Sequence, residues 1–445
     1  MSDNLKLLRY NTGTDKQVFI KFKDKMSAVI FNATIVAYSS SAVADLVSVY
    51  KNQYIIDPQT HIYQQNIDAV QTENKNGERK IKKSVQKYLD ELPYSLTASY
   101  LKNKGNLPIQ IIESEIDNLV ESVYLFETKY VDKYIKGKEY DKYLDFVKLG
   151  PCPKVVIAPY FMIKSSYSDS DINSWMSLNR LSAEKFIVKN DNIYPVGIQL
   201  VLEKEILERQ TFFNSIKQFY SGLNAEYAFI WVDNLNLFEA KRAQQENFKI
   251  LLQVLTDINL KPVMAYGGYD AILLCNNDLK CRMYGVAQSV GYGEARHITP
   301  VGGGLPVNKY YFPPLHKRLN MAQVAAILKT YGYFDLDKTV AANKFYSSIC
   351  SCKQCKNIIK NNFDNFNKYN DSIPFKILGN ITRNRPTSEA TLISAMHFMY
   401  SKISEWEAIE NQSFTDLANQ LIEDYIYYEP QNQDLIKQWC DIYGK

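Results

Sequence analysis

The chain has 445 residues, an apolar fraction of 46% and a net charge of only +4, from 52 Lys and Arg against 48 Asp and Glu. That is enough apolar material for a large core, and too little net charge for nucleic-acid binding through overall charge, so any such contact must come from local patches. Seven cysteines, an odd number with three crowded together, exclude a simple disulfide framework and fit a reducing compartment.

The N-terminus, Met1 to Lys6, lacks the charged-then-apolar pattern of a leader. Gln17 to Lys23 alternates and predicts an edge strand or the start of a hairpin. Ala28 to Tyr38 is a rich β pattern. Ser27 to Ala44 carries no charge, but serines, Thr34 and Asn32 interrupt it, so it predicts buried strand and loop rather than a membrane span. No membrane association and a cytoplasmic location are therefore expected. Tyr54 to Asp57 predicts the next strand, with Asp57-Pro-Gln-Thr-His61 at its tip. Residues 68–150 read as a mostly helical, charged insertion, with Lys80, Lys82, Lys83 and Lys87 on a solvated face.

The centre of the chain repeats one theme. Lys154–Tyr160, Tyr194–Gln199, Tyr227–Asp233, Lys261–Gly268 and Met283–Gly293 are short apolar runs with polar or aromatic tips, and Lys309–Pro313 closes the series. Helical patterns lie between them, at Glu203–Leu223, Glu239–Ile258 and Asn320–Tyr331. Strand alternating with helix implies βαβ units and a parallel sheet. With Ala28–Tyr38 and Tyr54–Asp57 the strands number eight, which predicts an α/β fold, a (β/α)8 TIM-type barrel, with a C-terminal helical subdomain after it. An open doubly wound sheet is the alternative, weakened by the lack of Gly-x-Gly-x-x-Gly after the first strand. The implied division is a strand segment at 1–45, the barrel at 46–335 with its insertion, and a C-terminal helical region at 336–445 that also holds the cysteine cluster.

In such a barrel, chemistry collects at the C-terminal ends of the strands. Those ends carry Asp57, Tyr160, Gln199, Asp233, Gly267, Gly268 and Glu294, and Asp57, Gln199 and Asp233 are expected to converge there. Glycines admit a flat ligand close to the backbone, amides read donor and acceptor edges, and tyrosines stack. A nucleobase suits these residues, and so does a sugar or another planar metabolite. Each also has an ordinary role: Asp57 capping a helix, the glycine pair making a turn, Gln199 satisfying buried backbone. His61 and His297 titrate near neutrality and are candidate proton carriers. Gly302-Gly-Gly304 lacks the Lys and Ser/Thr of a phosphate loop and reads as a flexible loop. Tyr310 to Arg318 mixes aromatic and basic residues, suited to a nucleic-acid strand or to a packed loop.

Cys350-Ser-Cys352-Lys-Gln-Cys355 places three thiols within six residues. The helical pattern Ser388–Ile409 carries an apolar stripe of Leu392, Met396, Met399, Ile403 and Trp406, with His397 flanking it. Three sulfurs and one imidazole predict a closed, structural Zn2+ site. A redox pair or inert thiols beside a packed histidine is the alternative.

A barrel followed by Cys-x-Cys-x-x-Cys and then by Ala395-Met-His397-Phe-Met-Tyr400 resembles the tRNA-guanine transglycosylase superfamily. Val196-Gly-Ile-Gln199 is similar to that family's base-reading strand, Gly267-Gly268 to a glycine-rich strand end, and Asp57 to its acid/base aspartate. The resemblance implies a structural Zn2+, a guanine- or 7-deazaguanine-type base, and tRNA or DNA as partner. It also implies base exchange, a glycosyltransferase reaction of the queuosine type, by a homodimer or a subunit of a larger system. One departure matters. The strand that should bear the family's aspartate nucleophile, Gly285–Gly293, has no aspartate, and Glu294 is the nearest carboxylate. The candidate catalytic residues are therefore Asp57 or Asp233 as acid/base and Glu294 or Asp233 as nucleophile. A barrel that has lost exchange but still binds nucleic acid or a modified base is the second reading, and an unrelated hydrolase or lyase with a zinc clip is the third. Residues 361–386 read as an Asn-rich inserted loop whose Arg383 and Arg385 either touch phosphate or are solvated.

Overall fold

Eight short strands rich in β-branched and aromatic residues pair in parallel. They are β1 Leu5–Tyr10, β2 Ala28–Asn32, β3 Tyr54–Asp57, β4 Val156–Ile157, β5 Val196–Leu202, β6 Tyr227–Val232, β7 Lys261–Met264 and β8 Gly285–Ser289. The computed structural model describes residues 4–11, 13–50, 53–73, 77–135, 152–291, 294–299, 307–378 and 381–444. The sheet order is β3-β2-β1-β8-β7-β6-β5-β4, so strands consecutive in the chain are neighbours except β3 and β4, which stand at its two ends. The two ends of that order nearly meet. Tyr54 in β3 donates its N–H to the Cys152 carbonyl (3.4 Å) and accepts from Lys154 (2.7 Å), just ahead of β4. The result is a nearly closed, barrel-like sheet.

Most of these strands are buried on both faces, as a parallel sheet covered by helices requires. Side chains alternate between the two faces. Leu7, Ile30, Ile55, Val201, Phe229 and Val263 pack inside the ring. Leu8, Val29, Ile198, Leu200 and Ile230 belong to the outer core, which includes the surrounding helices. Gly197 in β5 faces inward, where a Cβ would lie 2.8 Å from the Phe229 ring, so glycine is what lets that ring fill the interior. Outside, Asp169–Asn190 starts at a capping box made by Ser168 and Asp171, and Gln210–Tyr220 and Arg242–Asp257 follow β5 and β6. The long helix Ser388–Asn411 packs against helix Gly13–Phe22, and its Trp406 Nε1 donates to Gln288 of β8 at 3.4 Å. Among the described residues no helix is long and apolar enough to cross a membrane.

Three expectations are corrected. Gln17–Lys23 is not an edge strand: it lies largely within helix Gly13–Phe22, which buries Val18, Phe19 and Phe22 at helical spacing. Leu5–Tyr10 just before it is the strand, central in the sheet between β2 and β8. Lys309–Pro313 does not close the sheet. Lys309–Phe312 pairs antiparallel with Lys317–Asn320 in a separate ribbon, because Tyr310, Tyr311 and Phe312 bury themselves against the C-terminal region instead. The β pattern from Ala28 also ends early, at Asn32, where helix Ala33–Tyr38 begins. The sheet thus takes its first two strands from within residues 1–45. The insertion is helical at Tyr94–Lys102 and Ile116–Ile135, while residues 136–150 and Gly302–Gly304 lie outside the described residues.

Candidate metal centre and barrel mouth

The candidate metal centre is assembled from the segment Cys350–Cys355, which leads into a short helix, and from one long helix. Cys352 is the N-cap of the short helix Lys353–Ile359, and its sulfur accepts the Cys355 N–H at 3.4 Å, which folds the knuckle back on itself. His397 comes from Ser388–Asn411, a helix capped by the Thr387 hydroxyl. The four donor atoms of Cys350, Cys352, Cys355 and His397 lie within 4.8 Å of one another, and the group can hold a metal ion. His397 Nδ1 is 3.8, 3.4 and 3.4 Å from the three sulfurs in that order. A tetrahedral ion holding sulfur at about 2.3 Å and nitrogen at about 2.05 Å sets S···N edges of about 3.5 Å, so the spacing fits.

The surroundings orient the donors. His397 Nε2 donates to the Tyr311 carbonyl at 2.7 Å, which leaves the Nδ1 lone pair facing the thiols. Tyr310 stacks on the imidazole at 4.2 Å. The hydroxyls of Tyr310 and Tyr369 lie 3.2 and 3.4 Å from Cys355 Sγ, where they can donate to a thiolate. Burial opposes a charged His397, but hydrogen bonding and charge from Cys350 and Cys352 win and push it up to about 10. Cys352 is lowered by hydrogen bonds from Cys350 and Cys355. The metal-free cluster thus shares protons that a cation must displace.

At the C-terminal end of the ring, Arg9 of β1 is fully buried. Its Nη1 donates to Asn32 (2.7 Å) and Asp57 (3.2 Å), and its Nε and Nη2 donate to the Ala265 carbonyl at 3.2 and 3.1 Å. The other Asp57 oxygen accepts from the Tyr160 hydroxyl at 2.6 Å and from the Gln59 N–H at 3.2 Å. Asp57 is therefore a saturated, buried ion-pair partner rather than a helix cap. From Arg9 an aromatic wall continues: its guanidinium lies 3.9 Å over Tyr266, Tyr266 is 4.6 Å from Trp231, Trp231 meets His61 edge-on at 5.6 Å, and His61 stacks on Tyr160 at 5.5 Å. Burial lowers His61 to about 4, against the opposing charge of Asp57, so it is neutral at pH 7.

Several buried polar atoms of the ring and its wall lack partners among the described residues. Gln199 sits mid-strand in β5 on the inward face with Val201, and is 1% exposed. Among the described residues neither its Oε1 nor its Nε2 has a hydrogen-bond partner, and the same holds for His61 Nδ1 and the Tyr266 hydroxyl. Each such atom costs about 1–3 kcal/mol when left unpaired.

The remaining candidates stand elsewhere. Asp233, just beyond β6, accepts from the Ile298 N–H at 2.7 Å and lies 3.3 Å from His297 Nδ1. The Arg296 carbonyl takes Trp231 Nε1 at 3.1 Å and the Asn234 N–H at 2.9 Å. Residues 294–299 are thus strapped over the mouth, with Ile298 packed into the ring's interior cluster. Among the described residues Asp57 and Asp233 share no hydrogen-bond partner. Glu294 is paired at 3.3 Å with Lys402, a fully buried lysine that also meets Glu405 at 3.0 Å and the Tyr311 hydroxyl at 2.7 Å. Gly267 is needed for packing: a Cβ there would lie 2.8 Å from Ala271, Met264 and Val286. Gly268 faces the side chain of Glu294 and donates its N–H to Asp270 at 3.2 Å. Arg9 and Lys402 were not singled out from the sequence. For Arg9 the one available signal was its place beside Leu7 and Leu8 in a short run otherwise broken only by Lys6.

In comparisons with known proteins, no family model and no curated protein matches this chain.

Proposed function

We propose that this chain is a TIM-type (β/α)8 barrel that holds a guanine- or 7-deazaguanine-type base of tRNA or DNA inside its mouth, with exchange chemistry altered or absent. Gln199 carries the reading. A buried amide with both its donor and its acceptor open is a matched pair for the edge of a nucleobase, and the aromatic wall from Tyr160 to Tyr266 offers it a stacking surface. The Tyr54 bridge to Cys152 and Lys154 supports closure of the barrel. The donor set and spacing of Cys350, Cys352, Cys355 and His397 fit Zn2+. Four protein ligands leave no position for a reactive water, so the ion would supply structure and fix the helix that carries Lys402.

The carboxylates favour binding over exchange. Asp57 is consumed by Arg9 and Tyr160, and Glu294 by Lys402. One observation favours the exchange reading: Asp233 and His297 form a partly exposed carboxylate–imidazole pair at the mouth, the arrangement of an oriented general base. The test is incorporation of labelled guanine into tRNA and into DNA. No incorporation above a protein-free blank is expected. Robust incorporation abolished by Asp233→Ala or by Glu294→Ala would establish exchange and name its carboxylate.

A further inference from the structure

The strap over the barrel mouth is held differently from the ring beneath it. β6, at whose end it lies, is paired with β5 along its whole length and with β7 over residues 227–230. Residues 294–299 belong to no strand or helix. Among the described residues, three hydrogen bonds tie the strap's backbone to the end of β6. The Arg296 carbonyl accepts from Trp231 Nε1 and from the Asn234 N–H, and the Ile298 N–H donates to Asp233. Two of the three therefore end on a side chain, not on a strand.

One side chain of the strap is buried. Ile298 is 3% exposed, while His297 and Thr299 are exposed and Glu294, Ala295 and Arg296 are half-buried. Ile298 belongs to the interior cluster that contains Tyr160, Trp231 and Tyr266. Those rings form the wall proposed to stack a base, so the chain's own isoleucine already stands among them. The same interior holds Gln199 with both amide atoms open. A permanent seal would leave those atoms without partners in every state, a cost that a removable seal recovers when a ligand pairs with them. The strap's anchor is separate from its buried side chain. Glu294 is 3.3 Å from Lys402, which is fully buried and also paired with Glu405.

We infer that residues 295–299 are an autoinhibitory plug: Ile298 fills the aromatic interior of the unliganded protein, and the plug lifts from its Glu294 anchor to admit a planar ligand. Lifting breaks the three hydrogen bonds together, which releases the Trp231 indole N–H and one oxygen of Asp233 at the mouth. The inference rests on the base-binding reading for the kind of ligand admitted. The opening itself needs no ligand and is measured without one.

Hydrogen–deuterium exchange of the full chain, followed in peptides over Asn234, Ile298 and β6, reads the opening. The Asn234 and Ile298 amides are bonded through the strap alone, so they should exchange at one common rate, at least about 100-fold faster than the amides of β6. Ile298→Ala takes away the plug's apolar hold and should speed both at least about tenfold while leaving β6 unchanged. Trp231→Phe, which deletes one tether and keeps an aromatic ring, should speed them as well. Guanine and 7-deazaguanine are the probes of competition. Because the open form alone admits them, Ile298→Ala should bind up to about tenfold more tightly than the parent. The inference is overturned if the strap amides exchange no faster than β6, if Ile298→Ala speeds β6 equally, or if Ile298→Ala weakens base binding. If neither protein binds a base, the base-binding reading fails and the exchange rates alone decide the plug.

Discussion

Replacing Gln199 by leucine should make the protein more stable and less able to bind. In most cores, changing a residue that is 1% exposed destabilises. Here the native side chain buries an amide whose oxygen and nitrogen both lack partners. Leucine has a similar volume and no polar atoms, and its neighbours Val201 and Phe229 are apolar. Removing one or two unpaired polar atoms is worth about 1–3 kcal/mol, and adding buried apolar surface reinforces it. In a chain of this length that corresponds to a rise in Tm of about 1–3 °C. Thermal unfolding of parent and variant without ligand, followed by circular dichroism, reads the difference. Destabilisation by Gln199→Leu of more than about 1 kcal/mol would refute the reasoning, because it would mean that the amide is already satisfied by the protein or by fixed water.

Other outcomes follow from the same geometry. Arg9→Met removes one half of a buried ion pair and leaves Asp57 uncompensated, so it should cost about 3–5 kcal/mol, and Arg9→Met with Asp57→Asn should recover part of that loss in a double-mutant cycle of unfolding free energies. Cys352→Ser should lower the metal content measured by elemental analysis and reduce Tm, whereas Cys281→Ser, a cysteine outside the cluster, should leave the metal content unchanged. His61 is held near 4 by burial, below its unfolded value of 6.5, so its contribution is fully present above pH 6.5 and is lost as pH falls towards 4. Relative to His61→Gln, the parent should lose up to about 3 kcal/mol between pH 7 and pH 4. Gly197→Ala places a methyl 2.8 Å from the Phe229 ring and should cost about 1–3 kcal/mol, read by thermal unfolding.

The parts legible in the sequence were those carried by local pattern. β3, β5, β6 and β7 announce themselves as mainly apolar runs because a parallel sheet is buried on both faces. The metal cluster was readable because three thiols in six residues are rare and only four histidines compete for the fourth place. β1 was missed because Lys6 and Arg9 interrupt its apolar run, and the reason for Arg9 lies 48 residues away at Asp57. Lys309–Phe312 has a strand's composition and is a strand, but composition does not say which sheet takes it. The mouth was legible as a set of residue types and not as an arrangement. Asp57 is spent on Arg9, Asp233 on the strap at 294–299, and Glu294 on Lys402, and each of those partners is distant in sequence.

Calorimetric titration of the intact protein with guanine and with 7-deazaguanine, beside adenine and the Gln199→Leu variant, tests the central claim most directly. The account predicts saturable binding of a guanine-type base by the parent, at least about tenfold weaker binding of adenine, and a loss of at least about tenfold in the variant, as expected when a site built to hydrogen-bond loses its partner. Absence of binding by the parent, or equal binding by parent and variant, would contradict it.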